Sequence, residues 1–166
     1  GLNVHGGKHI VNLPLKIEED FGYLIGYTIG DGNCSKNLIN TTLWVDRKNI
    51  EKEIKNITKK YFNLNKHSKN NLLVLPGPIT RFLTHSLGLQ SGCKATRAKI
   101  PNLFLERVNT FGKNIIRGLI DSDGSVIEKN KRNEIIIYTT SFNLALNINT
   151  ILLNYGVPTT TSYTDK

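Results

Sequence analysis

A stripe of small residues that occurs twice constrains this chain more than any other feature. The first copy places Gly22, Gly26 and Gly30 at four-residue intervals and closes on Asp31-Gly32. The second places Asn114, Gly118 and Ser122 likewise and closes on Asp123-Gly124. Glycine inside a helix costs about 1 kcal/mol relative to alanine, so a whole stripe of it needs a compensating contact. Close approach of two helix backbones is such a contact. The spacing predicts two helices, one from Glu18 to the Asp31-Gly32 stop and one over 111–123, packed stripe against stripe. Glu18, Glu19 and Asp20 suit the positive end of the first, and Gly32 and Gly124 read as helix-stopping glycines.

The segments that follow also repeat. At a shift of 94, Trp44 falls on Tyr138, Asn49 on Asn143 and Ile50 on Leu144; Ile54, Ile57 and Tyr61 fall on Ile148, Ile151 and Tyr155. The glycine-ended helices match at a shift of 92. Helical periodicity alone would align the isoleucines but not the Asn and Tyr, so the chain reads as a duplicated helix–strand–strand–helix unit. The expected organisation is an extended leader over 1–17, a first repeat over 18–101 and a second over 102–166. Hairpins are expected over 33–45, turning near Lys36-Asn37, and around Lys129–Asn133 between strands 125–128 and 134–140. Amphipathic helices are expected from Ile50 to Tyr61 and from Phe142 to Tyr155. The lysines opposite that isoleucine face (Lys48, Lys52, Lys55, Lys59) fit a solvated helix back better than a phosphate-binding stripe. Leu72–Leu75 reads as a strand, Pro78–Leu87 as a helix opened by proline, and 91–101 as a basic connection.

Charge narrows the partner. Lys plus Arg number 22 against 13 acids, a net charge of +9 with a pI near 9.6. So basic a domain suits a polyanion, though an AT-rich genome, where Lys, Asn and Ile codons accumulate, would give the same balance. No apolar run is long enough to span a membrane, and no signal peptide is visible, so an intracellular protein is expected. Cys34 and Cys93 form neither a metal-spaced pair nor a disulfide framework, and the four histidines have no metal spacing.

The stripe has a chemical consequence. Packing the two helices along their stripes brings Asp31 and Asp123 together at their negative ends, where carboxylates are doubly disfavoured. Divalent cations between them remove both penalties. The carbonyls of Gly30 and Ser122, left without helical partners, add hard oxygen ligands. Such a donor set suits Mg²⁺ (with Mn²⁺ as a substitute), and the chemistry it favours is in-line attack of water on a phosphodiester. Each Asp-Gly alone could simply be a turn; two in register with a repeat, on a basic chain, favour a site.

Both segments resemble the paired signature of the LAGLIDADG homing endonucleases. Gly26, Asp31 and Gly32 match in the first, and Gly118, Leu119, Ile120, Asp121, Asp123 and Gly124 in the second. The first departs at Ile29, where the signature's earlier acid is missing. The resemblance covers most of 18–160 and is closest to the double-motif type found in inteins and introns. It implies an α+β fold of two pseudo-symmetric αββαββ halves whose sheets form a saddle over double-stranded DNA. It implies that Asp31 and Asp123 each bind metal and serve one strand, giving a double-strand break at a long asymmetric site. It also implies a lysine near the scissile phosphates, in a K-x-I-P segment. Here that segment reads Arg97-Ala98-Lys99-Ile100-Pro101, so the expected position holds Ala98 and Lys99 is the candidate, beside the reading that Lys99 is an ordinary surface lysine. A non-cleaving protein of the same fold, an RNA maturase or a DNA-binding regulator, is the alternative.

The hairpins follow the carboxylates directly, so DNA contacts are expected from Lys36, Lys129, Lys131 and Arg132, with Lys94 and Arg97 on the basic connection. A solvated turn is the alternative for each. At the 94-residue shift Lys166 falls on Leu72, leaving 73–90 without a counterpart. The second repeat is therefore expected to lack a strand and its covering helix. A pseudo-symmetric monomer is expected of the full-length protein, and of this chain alone either self-association through its second half or partial disorder of that half.

Overall fold

In the computed structural model, which describes residues 2–6, 9–65, 69–129 and 132–163, two helices cross at the centre. Helix α1 (Phe21–Asp31) is buried over Phe21–Ile29, as a helix apolar on every side must be. It packs against a second long helix, Val108–Asp123. A Cβ added at Gly26 would stand 2.1 Å from the carbonyl oxygen of Ile115, and one at Gly118 would stand 2.4 Å from that of Tyr23. Backbone meets backbone at the stripe.

The ends of α1 depart from expectation. The helix begins at Phe21 rather than Glu18. Glu18 to Asp20 form a turn whose carbonyls accept the N–H groups of Phe21, Gly22 and Tyr23. The acids of that turn pair with Lys60, whose ammonium lies 2.8 Å from Glu18 and 2.7 Å from Asp20. Gly32 is not a left-handed stop; it is extended (φ −93°, ψ 154°), and Gly124 is its twin (φ −84°, ψ 152°). Each helix runs directly into a strand. Glycine is needed because a Cβ would lie 2.6 Å from the carbonyl oxygen of Thr28 or of Ile120.

The strands leaving α1 build an antiparallel sheet. Residues 1–17 do not form a simple extended leader: β1 (Leu2–Gly6) and β2 (His9–Leu13) pair as a hairpin, and Val11 enters the core. After α1 come β3 (Gly32–Cys34), β4 (Asn40–Trp44), α2 (Lys48–Phe62) and β5 (Leu72–Pro76), with sheet order β3-β4-β5. Leu43 and Leu73 lie opposite each other and are buried, whereas Asn33, Asn40, Thr42 and Trp44 alternate onto the other face. Helix α2 buries Ile50, Ile54, Ile57 and Tyr61 and ends at Asn63, whose left-handed backbone lets its N–H bond the Lys59 carbonyl. Next, α3 (Gly77–Arg81) continues into a π-helical turn over Phe82–Ser86.

A short helix that the sequence pattern did not reveal, α4 (Asn102–Leu105), follows Pro101 and buries Phe104. The long second helix, α5 (Val108–Asp123), leads into β6 (Gly124–Lys129) and β7 (Arg132–Ile137), and α6 (Phe142–Asn154) follows. Among the described residues the second sheet has two strands where the first has three. Ile137, opposite Gly124, packs on the core. Val126 and Ile135 share that face but are 66% and 59% exposed, because among the described residues no third strand and no covering helix reach them. The fold is of mixed α+β class, with helices backing antiparallel sheets. Among the described residues no helix is long and apolar enough to cross a membrane.

Candidate metal and nucleic-acid site

The stripe carries α1 and α5 to a common end. A Cβ at Gly30 would meet the Ser122 hydroxyl at 1.9 Å and Asp123 Oδ2 at 3.1 Å, so the second carboxylate lies against the last turn of the first helix. Asp31 follows Gly30 directly. Burial, and then the Asp123 charge, push the Asp31 carboxyl above the ordinary carboxylate range, with Lys94 drawing it partly back. Asp123 stands at the more open edge, yet the protein around its carboxyl raises it too, again against Lys94. Two carboxylates that resist ionising side by side suit a cation.

Lys94 is the residue that organises this end of the molecule. It comes from the loop after the π-helical turn and was expected at the DNA surface. Instead its Nζ donates to three successive carbonyls of α1, Thr28 at 2.7 Å, Ile29 at 2.5 Å and Gly30 at 2.7 Å. The ammonium thereby caps the negative end of the helix. Burial drives its pKa down to about 8, while Asp123 and Asp31 pull the other way. Among the described residues no ion pair closes between Lys94 and either carboxylate, so the carboxylate oxygens keep their lone pairs. Lys99, the lysine of the K-x-I-P-like segment, is exposed and lines the same shallow recess as Thr28, Ile29, Cys34 and Lys94, while Ala98 is buried.

The earlier acid of the second motif has its own task. Asp121 accepts a hydrogen bond from the Tyr23 hydroxyl at 2.8 Å, across the helix interface. Burial and this bond together raise the phenol's pKa. Arg117 lies over the Tyr23 ring, 4.4 Å from its centroid, and pairs with Glu53. Ile29, the corresponding residue of α1, is buried instead. Arg47, ahead of α2, donates to the Asp121 carbonyl and so caps α5 as Lys94 caps α1. Sequence reasoning missed Arg47 and Tyr23: Arg47 reaches Asp121 over 74 residues and Tyr23 reaches it over 98, with no local spacing to announce either.

The remaining candidates are scattered. Ser122 uses its hydroxyl on the Gly118 and Leu119 carbonyls. Lys36 is exposed in the β3–β4 turn, and Arg97 is exposed and bonds the Cys93 carbonyl at 2.6 Å. Lys129 and Arg132 pair at the ends of β6 and β7, their side chains outside the described residues, and Lys131 lies wholly outside them. The sheet faces turned away from the core carry Trp44, 47% exposed, and, one residue past β7, Tyr138, 70% exposed.

Residues 111–166 match the family model of the LAGLIDADG-like domain. Over that stretch the chain is similar to the LAGLIDADG-like domain. The match takes in most of α5 with its Asp-Gly end, both strands of the second sheet and α6. The chain is also 28% identical over 119 residues, 68% of its own length, to a DNA polymerase from Thermococcus aggregans, of which it spans only 6%.

Proposed function

We propose that this LAGLIDADG-like chain is a site-specific endonuclease that cuts both strands of a long, asymmetric duplex DNA site with the help of a divalent metal ion. The observation that carries this reading is the convergence of Asp31 and Asp123, one from each repeat, at the ends of two helices in backbone contact. Asp31 and Asp123 would hold the metal, with the Ser122 carbonyl within the same turn. The Gly30 carbonyl fits less well, because the Lys94 ammonium already bonds it. When bound, Mg²⁺ would activate water for attack on the phosphodiester and stabilise the leaving oxygen.

The chain's own residues supply the rest. The outward sheet faces, with Trp44 and Tyr138 at their rims, suit a duplex groove, which admits a two-stranded ribbon. The net charge of +9 supplies the phosphate attraction. Lys94 and Arg47 fix the two helix ends, and thereby the spacing of the carboxylates. A match confined to 6% of a far longer DNA polymerase is what an inserted element gives, so we assign the chain to the nuclease part of an intein or intron-encoded protein.

Selection of cut sites from a randomised duplex library, with Mg²⁺ or with Ca²⁺, tests the proposal. Linear products from one recurrent site in Mg²⁺, and binding without cutting in Ca²⁺, support it. Tight binding of duplex DNA or of structured RNA without cutting in either ion would instead identify a maturase or regulator.

A further inference from the structure

We infer that the Lys94 ammonium is a tethered cation occupying one half of the carboxylate site, and that a divalent ion gains the Gly30 carbonyl only by displacing it. The inference rests on the proposed metal site at Asp31 and Asp123.

Three observations carry it. All three ammonium protons are spent on the last carbonyls of α1, at 2.5 to 2.7 Å, the short range of charge-assisted bonds. Those carbonyls include the one adjoining Asp31, where a hard cation would find its backbone ligand. Among the described residues no ion pair closes between Lys94 and Asp31 or Asp123, so both carboxylates stand beside the ammonium without pairing with it. An ammonium with three fixed donors and two spectator carboxylates stands where a coordinated ion would stand. It carries one charge where the site calls for more, so it holds the helix ends together without satisfying the carboxylates.

Two consequences distinguish this from a plain helix cap. Metal binding to the free protein is weak, because each ion must expel a bonded ammonium. Once expelled, Lys94 is free on its flexible stem, beside exposed Lys99 and Arg97, to meet a phosphate oxygen. Metal loading and phosphate engagement are then one event, and the protein alone stays metal-poor until DNA offers Lys94 a second partner.

The test uses the full chain and Mn²⁺ alone, without DNA. Lys94→Met keeps the apolar stem and removes the charge. Titration calorimetry should show Mn²⁺ binding at least roughly tenfold tighter to Lys94→Met than to wild type. Saturating Mn²⁺ should also raise the Tm of the variant by more than that of wild type, with Lys94→Arg behaving as wild type. Equal or weaker Mn²⁺ affinity in Lys94→Met, or no binding to either protein, overturns the inference. Should Lys94→Met not fold, NMR of wild type decides. The Lys94 Nζ and Gly30 carbonyl resonances must move with the Asp31 and Asp123 carboxyls as Mg²⁺ is added, and carboxyl shifts with an unmoved Lys94 overturn it. A wild type that cuts DNA while Lys94→Met shows no gain sinks this inference alone; a gain in a protein that never cuts sinks the nuclease reading alone.

Discussion

Replacing Gly26 with alanine sets two effects of opposite sign against each other. On helix propensity alone Gly26→Ala should stabilise α1 by about 1 kcal/mol. At this position, however, the added Cβ would lie 2.1 Å from the Ile115 carbonyl oxygen, 2.9 Å from its carbonyl carbon and 3.0 Å from its Cα. These are backbone atoms and cannot rotate away. An ordinary contact begins near 3.4 Å, so α5 would have to recede by more than 1 Å along the whole stripe. Overpacking of this kind costs about 1–3 kcal/mol, and contact with rigid backbone belongs at the upper end. The net expectation is a loss of about 2 kcal/mol, or about 4–8 °C in Tm for a chain of this size. Urea unfolding of Gly26→Ala and Gly118→Ala, with exposed Lys113→Ala as a control within about 0.5 kcal/mol of wild type, measures it. A Gly26→Ala protein as stable as wild type, or more so, would refute backbone contact between the helices.

Gly30→Ala meets the movable Ser122 hydroxyl rather than backbone, so it should cost less stability than Gly26→Ala in the same urea series. Asp31 has its carboxyl raised in the fold by burial and by Asp123, so its contribution is favourable below the unfolded value of 3.8 and is lost as pH rises through the folded value. At pH 7 its charge is therefore a standing cost, and Asp31→Asn should raise the Tm measured there; an unchanged or lower Tm would contradict it. Asp20 has the opposite sign: burial would raise its carboxyl, but hydrogen bonds from Lys60 and Tyr61 hold it below 3.8, so its contribution is full above that pH and fades as pH falls. Asp20→Asn should flatten the acid limb of a stability–pH curve by less than about 1 kcal/mol, since its side chain is 38% exposed. Trp44→Ala and Tyr138→Ala should each weaken duplex binding with Tm nearly unchanged, read by anisotropy alongside melting.

How much of this was legible beforehand depends on how local the cause is. The central helix pair was legible because a four-residue stripe of small side chains carries its own geometry: whatever packs there must be another backbone. The inner faces of α2 and α6 were legible for the same reason, since Ile50, Ile54 and Ile57 and their counterparts Leu144, Ile148 and Ile151 keep the helical period. Gly32 and Gly124 read from the sequence as helix-stopping glycines, whereas both are extended and are needed for lack of a Cβ against the preceding turn. The hairpin of β1 and β2 escaped because a short alternating run shows no partner until one folds against it. Lys94 is the clearest case of tertiary cause. The carbonyls it bonds lie 64 to 66 residues earlier, and nothing in the basic connection distinguishes it from Arg97 or Lys99.

One carboxylate from each proposed repeat is inferred to make a single composite site for both strands of a duplex. Strand-labelled cleavage of a selected duplex in Mg²⁺, by wild type, Asp31→Asn and Asp123→Asn at matched occupancy, decides this. Wild type should give the double-strand break. Each variant should lose it while binding the same duplex with nearly unchanged affinity, since phosphate contacts and metal chemistry are separate contributions. Double-strand breaks persisting at the wild-type rate in either variant would remove that aspartate from the mechanism and the composite site with it.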